Sequence, residues 1–130
     1  MKKAIYLLSM LLIFSCTKES QVTNLDIQIT QNPIDGVNIQ SASVSLIGTI
    51  KGTVKQIPVQ VEWFKETDKN ENRELMTTTV IYFSTGSPEA QSLSCLVKPH
   101  AGFSSYYFAR FTWADSRGLN TIESKKALCR

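Results

Sequence analysis

The sequence predicts an all-β fold, a single antiparallel β-sandwich of about seven strands that follows a cleaved signal peptide. Three observations support this prediction. Apolar and polar residues alternate along several short segments after residue 24, which is typical of strands with one buried face. Turn-forming residues separate these segments at intervals of about 8 to 12 residues or slightly more. No segment after the first 15 residues has the period of an amphipathic helix.

The first three predicted strands show the clearest alternation. Leu25, Ile27 and Ile29 are the apolar positions of the first strand, and a turn cluster at 32–36 ends it. The second strand lies within 37–54, where β-branched residues are frequent. The third strand carries the most regular apolar face, formed by Ile57, Val59, Val61 and Trp63.

Two further strands follow a hydrophilic run. The run 65–74 is predicted to be a solvated hairpin tip, because runs of charged residues usually face water. A threonine-rich strand at 75–83 comes next, and its pattern does not establish which residues face inward. The residues that share one face of the fifth predicted strand are Leu93, Cys95 and Val97.

The sixth predicted strand, 103–113, is the most aromatic part of the chain, and a turn at Gly118 separates it from a last strand at about 119–128. The residues predicted to face inward are Tyr107, Ala109, Phe111 and Trp113. Tyr106, Phe108 and Arg110 then face outward. Binding surfaces favour exposed Tyr, Phe and Arg, so these three residues form a candidate binding surface. The alternative is that a neighbouring segment covers them.

Several features resemble immunoglobulin and fibronectin type III domains. Trp63 lies on the third strand, and a Leu96-x-x-Pro99 corner leads to a sixth strand with Tyr106 and Tyr107. The resemblance implies a seven-stranded sandwich but no function. In the immunoglobulin family a disulfide joins the second and sixth strands, whereas Cys95 and Cys129 lie on the fifth and at the end of the seventh. The resemblance therefore favours a fibronectin-like or transthyretin-like sandwich without that disulfide.

The N-terminal residues predict a signal peptide. A positive start at 1–3 precedes an apolar run at 4–14, which is too short to span a bilayer. Ile13-Phe14-Ser15-Cys16 resembles the lipobox of bacterial lipoproteins. That resemblance implies cleavage before Cys16, lipid on its thiol and sorting to the outer membrane, on either face. The predicted organisation is a signal peptide at 1–15, a lipidated tether at 16–23 and one sandwich domain at 24–130.

Charge and cysteine content limit the possible functions. Without Lys2 and Lys3, 12 of the 14 basic residues remain against 11 acidic ones, so no excess positive charge predicts a nucleic-acid partner. A Cys95–Cys129 disulfide would close a loop of about 34 residues and stabilise the fold by about 3 to 4 kcal/mol. The alternative is two unbonded thiols. Two isolated cysteines and the single His100 do not form a zinc-binding pattern.

No catalytic motif is found. His100 is expected to be an exposed loop residue, and neither a nucleophile elbow nor a phosphate-binding loop is present. The sequence therefore predicts a non-enzymatic module of the cell envelope, anchored in the membrane by lipid, which binds an envelope protein or a glycan. No cofactor is expected other than the covalent lipid on Cys16. The alternative is a structural or adhesin-type surface protein, or an accessory lipoprotein of a secretion machine.

Overall fold

The computed structural model describes residues 22–67, 73–86, 88–97 and 105–130. These residues form eight β-strands: β1 (Asn24–Gln31), β2 (Ser41–Lys51), β3 (Gln56–Thr67), β4 (Arg73–Ser84), β5 (Glu89–Leu96), β6 (Ser105–Asp115), β7 (Gly118–Glu123) and β8 (Ala127–Cys129). Within these ranges, no helix is long and apolar enough to cross a membrane. The predicted signal peptide, the predicted lipidation site Cys16, and the loop residues Pro99 and His100 lie outside the described residues.

The strands pair into two antiparallel sheets. The smaller sheet has the order β1-β2-β5. The larger sheet has the order β4-β3-β6-β7, and β8 pairs with β6 next to β7. The predicted all-β sandwich is confirmed, and the arrangement is compatible with an immunoglobulin-like domain.

The core lies between the sheets and is formed by the alternating residues of both. Trp63, Phe83 and Phe111 are among its largest apolar side chains, and each is at most 1% exposed. The four residues of the sixth strand predicted to face inward all belong to this core. Cys95 and Val97 are buried and Leu93 packs against them at the edge of the core, so the predicted face of the fifth strand is also confirmed. Alternation with a period of two places one face of each strand in the core.

The last predicted strand is divided into β7 and β8. Ser124 lies between them, and its Oγ accepts a hydrogen bond from the Ala109 amide at 2.9 Å. The Ser124 amide donates to the Ala109 carbonyl, also at 2.9 Å. A side-chain oxygen thus takes the place of a backbone acceptor, which interrupts the ladder. This interruption explains why eight strands are found where about seven were predicted.

The prediction that 65–74 form a solvated hairpin tip is wrong for the residues at both ends of this run, which belong to strands. β3 continues to Thr67 and β4 begins at Arg73, while 68–72 lie outside the described residues. Lys65 and Glu66 are only 4% and 8% exposed. Both residues pair with β6, which extends as far as they do along the sheet. Pairing to an aromatic strand therefore keeps this charged segment in the sheet.

The sequence pattern of the threonine-rich strand does not show which of its residues face inward, and the structure gives the reason. Trp63 of β3 pairs with Thr77 of β4, but the next residue, Phe64, pairs with Leu75. Met76 is therefore an extra residue in β4, a β-bulge that reverses the alternation along the strand. Beyond the bulge, Ile81 and Phe83 face the core.

Candidate binding surfaces

The predicted surface of Tyr106, Phe108 and Arg110 is not an exposed aromatic patch. Phe108 is completely buried, so the prediction that it is exposed is wrong. Tyr106 and Arg110 are half-buried. Phe108 nevertheless lies on the outward face of β6, because its neighbours Tyr107 and Ala109 are in the core. Other side chains therefore cover it from outside, which is the alternative that the sequence left open.

Phe108 is covered by a stack of aromatic and basic side chains. Its ring stacks on Phe64 of β3 with 5.4 Å between ring centroids and 19° between ring planes. The Arg73 guanidinium carbon lies 4.6 Å from the Phe108 centroid, and the Lys126 Nζ lies 5.5 Å from it. The Arg110 guanidinium carbon lies 4.6 Å from the Phe64 centroid. Cations placed over aromatic faces in this way are stabilising. This group is called the outer stack below.

Carboxylates neutralise the cations of the outer stack. Glu66 accepts hydrogen bonds from Arg73 Nε at 2.9 Å and from Lys126 Nζ at 2.7 Å. Desolvation by burial raises the pKa of Glu66, but the hydrogen bonds from Lys126 and Arg73 outweigh it, so the pKa lies below its usual value. Glu123 accepts from Arg73, and Glu62 accepts from Arg110. The outer stack satisfies its own charges, which favours a structural role over ligand binding.

The two cysteines of the domain lie in different sheets. Cys95 on β5 pairs with Ala42, and Cys129 on β8 pairs with Ser105. Among the described residues no disulfide joins them, and both are buried thiols. The possible Cys95–Cys129 bridge is therefore not formed in this structure. Burial raises the pKa of the Cys129 thiol, and the nearby charge of Asp35 raises it further, so it is a poor nucleophile at neutral pH.

The described residues contain no group of three or more His, Cys, Asp or Glu side chains that could hold a metal ion. Several of their charged side chains form ion pairs in which the carboxylate is the more buried partner: Glu66 pairs with Arg73, Glu62 with Arg110, and Asp115 with Arg117. Such pairs neutralise one another and are typical of structural contacts.

One side of the sandwich leaves apolar side chains in contact with solvent. Among the described strands, β4 pairs only with β3 and β5 only with β2, so both have one free edge. Leu75 of β4 and Leu96 of β5 are 51% and 68% exposed. An open groove of about 260 Å³ lies between the two strands. It is lined by Met76, Thr77, Ser94, Cys95 and Leu96. This side, from Leu75 to Val80 on β4 with the facing residues of β5, is called the open side below.

The opposite side is bridged by hydrogen bonds. Arg117, in the turn between β6 and β7, donates to the Leu25 carbonyl at 2.7 Å and to Asp26 Oδ1 at 3.1 Å, both on β1. Arg117 also donates to Asp115, whose side chain is 0% exposed and accepts from the Leu25 amide as well. The hydrogen bonds from Arg117 hold the pKa of Asp115 far below its usual range.

Further bonds close this side at the other end of the strands. Asn32 Oδ1 accepts from the Lys125 amide at 2.8 Å, and Asp35 Oδ1 accepts from the Leu128 amide at 2.7 Å. The segment between β1 and β2 is thereby fixed to β8 and to the residues before it. This side, formed by β1 with the β6–β7 turn and β8, is called the closed side.

The open side was not identified from sequence as a candidate site. The available signal was the segment Leu75–Tyr82, which contains no charged residue. Edge strands usually carry charged residues, proline or bulges that prevent pairing with another chain. This segment has the bulge at Met76 but neither of the other two devices. Recognising it required knowing that β4 is an edge strand.

Comparisons with known proteins identify no family. No family model matches the chain, and no curated protein matches it. Similar solved structures include a β-glucosidase from Kluyveromyces marxianus, at 9% identity and a TM-score of 0.46 over 83% of this chain and 15% of the enzyme. The sporulation control protein Spo0M from Bacillus subtilis has 10% identity and a TM-score of 0.43, over 84% of this chain and 49% of its own.

A third similar structure is the putative ApaA protein from Bordetella pertussis, with 11% identity and a TM-score of 0.42, over 83% of this chain and 94% of its own. This chain therefore spans only a small part of the β-glucosidase and about half of Spo0M. All three TM-scores are below 0.5, so these similarities carry no argument about binding or catalysis.

Proposed function

We propose that this chain is a lipid-anchored, non-catalytic binding or assembly module of the bacterial cell envelope, held at the outer membrane by lipid on Cys16. The observation that carries the binding role is the open side. There, an uncharged strand edge and an apolar groove contact solvent, whereas hydrogen bonds bridge the opposite side.

The partner proposed for the open side is an extended, uncharged segment of another envelope protein. A free strand edge binds such a segment by adding it as a further strand, through main-chain hydrogen bonds. Leu75–Tyr82 has no charged side chain. Pairing between this segment and an uncharged partner strand therefore removes no charged group from water and breaks no ion pair. The exposed Leu96 and the half-buried Met76 supply apolar contacts for alternate side chains of that strand. A glycan partner is disfavoured because Phe108, the central ring of its predicted stacking platform, is buried.

The membrane part of this proposal rests on the lipobox-like segment. The substitution Cys16→Ser removes the Sγ atom, which is the only atom that can form the thioether found in lipoproteins. We expect a metabolically supplied fatty acid to label the wild-type protein and not this variant. Label that persists on the serine variant would contradict the anchor.

The binding part is tested by photocrosslinking in living cells. A photoreactive phenylalanine analogue at Leu96, which is 68% exposed, is compared with the same analogue at Ile34, which is 67% exposed and lies in the β1–β2 segment next to Asp35, the residue bonded to β8. We expect the Leu96 position to give one discrete adduct, mapped by mass spectrometry to an uncharged segment of one partner. The Ile34 position is expected not to give this adduct.

A matched pair of lysine variants decides whether the open side causes that adduct. Thr77→Lys places a charge in the groove, and Thr121→Lys places the same charge on the exposed edge strand β7. The adduct should disappear with Thr77→Lys and persist with Thr121→Lys, since a charge at a strand edge prevents pairing. An adduct that survives Thr77→Lys, or one that also forms from Ile34, refutes the assignment of the open side.

The second candidate is a structural surface protein that assembles through the same edge. It is favoured by the uncharged segment Leu75–Tyr82, which can pair antiparallel with the same segment of another copy. In that case the Leu96 adduct joins two copies of this chain, and a size measurement shows oligomers that Thr77→Lys dissociates.

A further inference from the structure

Backbone contacts fix the point at which the chain enters the sandwich. The Thr23 amide donates to Ser116 Oγ at 2.8 Å, and the Ser116 amide donates to the Thr23 carbonyl at 2.9 Å. On the other side, Gly52 packs so closely that an added Cβ would lie 2.5 Å from Thr23 Oγ1. Its φ of 132° also favours glycine. The first described residues are therefore held between the β2–β3 loop and the β6–β7 turn.

Four segments meet at this end of the sandwich. The Thr85 amide donates to the Lys55 carbonyl at 2.9 Å, so the β4–β5 turn joins the β2–β3 loop there. This end is called the anchor end. It consists of the segments 22–23, 51–55, 84–86 and 115–118.

The length of the tether limits which part of the domain can approach the membrane. The seven residue steps from Cys16 to Thr23 span at most about 25 Å when fully extended. The ten residue steps of β2, from Ser41 to Lys51, which run the length of the sandwich, span about 33 Å. Lipid on Cys16 would therefore hold the anchor end near the bilayer and leave the opposite end farther away.

An exposed apolar row crosses the outer face of the larger sheet at the anchor end. Tyr82 of β4 pairs with Pro58 of β3, and Ala114 of β6 pairs with Leu119 of β7. Pro58 and Ala114 line the same open groove of about 370 Å³. All four residues are exposed, and Tyr82 and Leu119 are 50% and 77% exposed. Exposed apolar residues that adjoin one another in this way are typical of interaction sites.

Polarity along this outer face rises with distance from the anchor end. The next row, two residues farther along each strand, is uncharged: Val80, Gln60, Thr112 and Thr121. The following row carries the ion pair of Glu62 with Arg110, and Glu123 beside Arg110. The charges of the outer stack lie beyond it. This order matches the change from lipid to water across a membrane surface.

The loop next to the row adds basic side chains. The Lys51 side chain is 75% exposed and its Nζ lies 3.9 Å from Asp26 Oδ2, whereas Lys55 is exposed with no ion pair among the described residues. Val54, between them in the loop, is 43% exposed. Lysine is attracted to an anionic membrane surface, and tyrosine is enriched at the membrane–water interface.

We propose that the row Tyr82, Pro58, Ala114 and Leu119 contacts the lipid headgroups of the membrane that holds the anchor. The occupant of this surface is the lipid bilayer. This inference rests on the proposed lipidation of Cys16 and adds to it an orientation: the anchor end of the larger sheet faces the membrane, and the open side is directed sideways.

The test uses the full lipidated protein in vesicles of phosphatidylethanolamine and phosphatidylglycerol. An environment-sensitive fluorophore is attached through Leu119→Cys, and in a matched control through Val37→Cys, which is 65% exposed in the β1–β2 segment at the opposite end. Cys95 and Cys129 are 7% and 0% exposed, so the protein without an added cysteine serves as the blank for labelling. The expected result is a blue shift, with quenching by brominated lipid, at position 119 and neither at position 37.

The outcomes separate this inference from the anchor. Mass spectrometry of the same samples reports whether Cys16 carries lipid. Equal quenching at both positions, or none at 119, overturns the orientation while a lipidated Cys16 leaves the anchor intact. A Cys16 without lipid overturns both. A blue shift at 119 in native envelope membranes but not in pure lipid vesicles assigns the row to a protein, and this also overturns the proposal.

Discussion

The two lateral sides of the sandwich differ in how their edge strands are protected. On the closed side, Arg117 bonds to both β1 and Asp115, and Asn32 and Asp35 fix the β1–β2 segment to the end of the chain. On the open side, the contacts between β4 and β5 in the described structure are few. Gln91 Nε2 donates to the Tyr82 carbonyl at 3.4 Å, and Glu89 accepts from the Ser84 amide at 3.1 Å.

This difference predicts that the closed side mainly stabilises the fold, whereas the open side mainly binds a partner. Both Gln91 and Glu89 act near the anchor end, so the segment of β4 from Leu75 to Val80 has no such cover from β5 among the described contacts. Among the described strands, β1 and β7 on the closed side also have one free edge each, but the hydrogen bonds across that side stabilise the fold. The open side has an uncharged edge segment, Leu75 to Val80, that no such bond joins to β5 among the described contacts. Substitutions on the two sides should therefore affect different properties.

The largest expected effect is on the closed side. Asp115→Ala removes a fully buried carboxylate that accepts from the Leu25 amide, the Trp113 indole and Arg117. Buried donors left without an acceptor destabilise the fold, so we expect the free energy of unfolding to fall by about 3 kcal/mol. Urea denaturation measures this change. A loss below about 0.5 kcal/mol, the range of ordinary surface substitutions, would contradict the importance of the bridge.

The next effect is on the pH dependence of stability. Hydrogen bonds from Arg117 lower the pKa of Asp115 in the folded protein, so its stabilising effect is complete above the unfolded pKa of about 3.9. Acidification below this value removes the effect, by about 1.4 kcal/mol per pH unit at most. The stability difference between the wild type and Asp115→Asn should therefore be constant near neutral pH and shrink below about pH 4. A difference that does not change down to pH 3 would show that Arg117 does not lower this pKa.

The smallest effect is expected on the open side. Thr77 is exposed, and Thr77→Lys should change the free energy of unfolding by less than about 0.5 kcal/mol. The same denaturation measurement checks this value, with Thr121→Lys as its matched control. A small change for Thr77→Lys together with loss of the photocrosslinked adduct would confirm that the open side binds rather than stabilises. A large loss of stability would instead show that this edge is part of the fold.

The sequence predicted the parts of the fold that depend on local alternation. Ile57 to Trp63 and the inward set of the sixth strand were correctly placed, because a period of two and one charged residue, Arg110, determine which face is buried. The phase of β4 was not predictable, because the bulge at Met76 depends on how β4 pairs with Phe64.

The predicted site failed for a different reason. The outward direction of Phe108 was correct, but its exposure was not. Arg73, on β4, and Lys126, in the link between β7 and β8, cover it, but the sequence assigned them to a hairpin tip and to a continuous last strand. Whether an outward side chain is exposed depends on long neighbours across the sheet, and sequence spacing does not show these. The open side was missed because the edge position of β4 is a property of topology.

The hydrogen bonds that hold Thr23 at the anchor end also determine how the domain would respond to a pulling force. β1 leaves the anchor end in register with β2, from Asn24 opposite Lys51 to Ile29 opposite Leu46, and the register shifts by one residue before Gln31, which lies opposite Ser45. A pull on a lipid-bound Cys16, along the strands and against a partner held at β4, would load this ladder of hydrogen bonds in shear. Sheared strands share the load among many bonds, whereas peeled strands break them one after another. The geometry of β1 would therefore help the domain to stay folded under a pull on a lipid-bound Cys16.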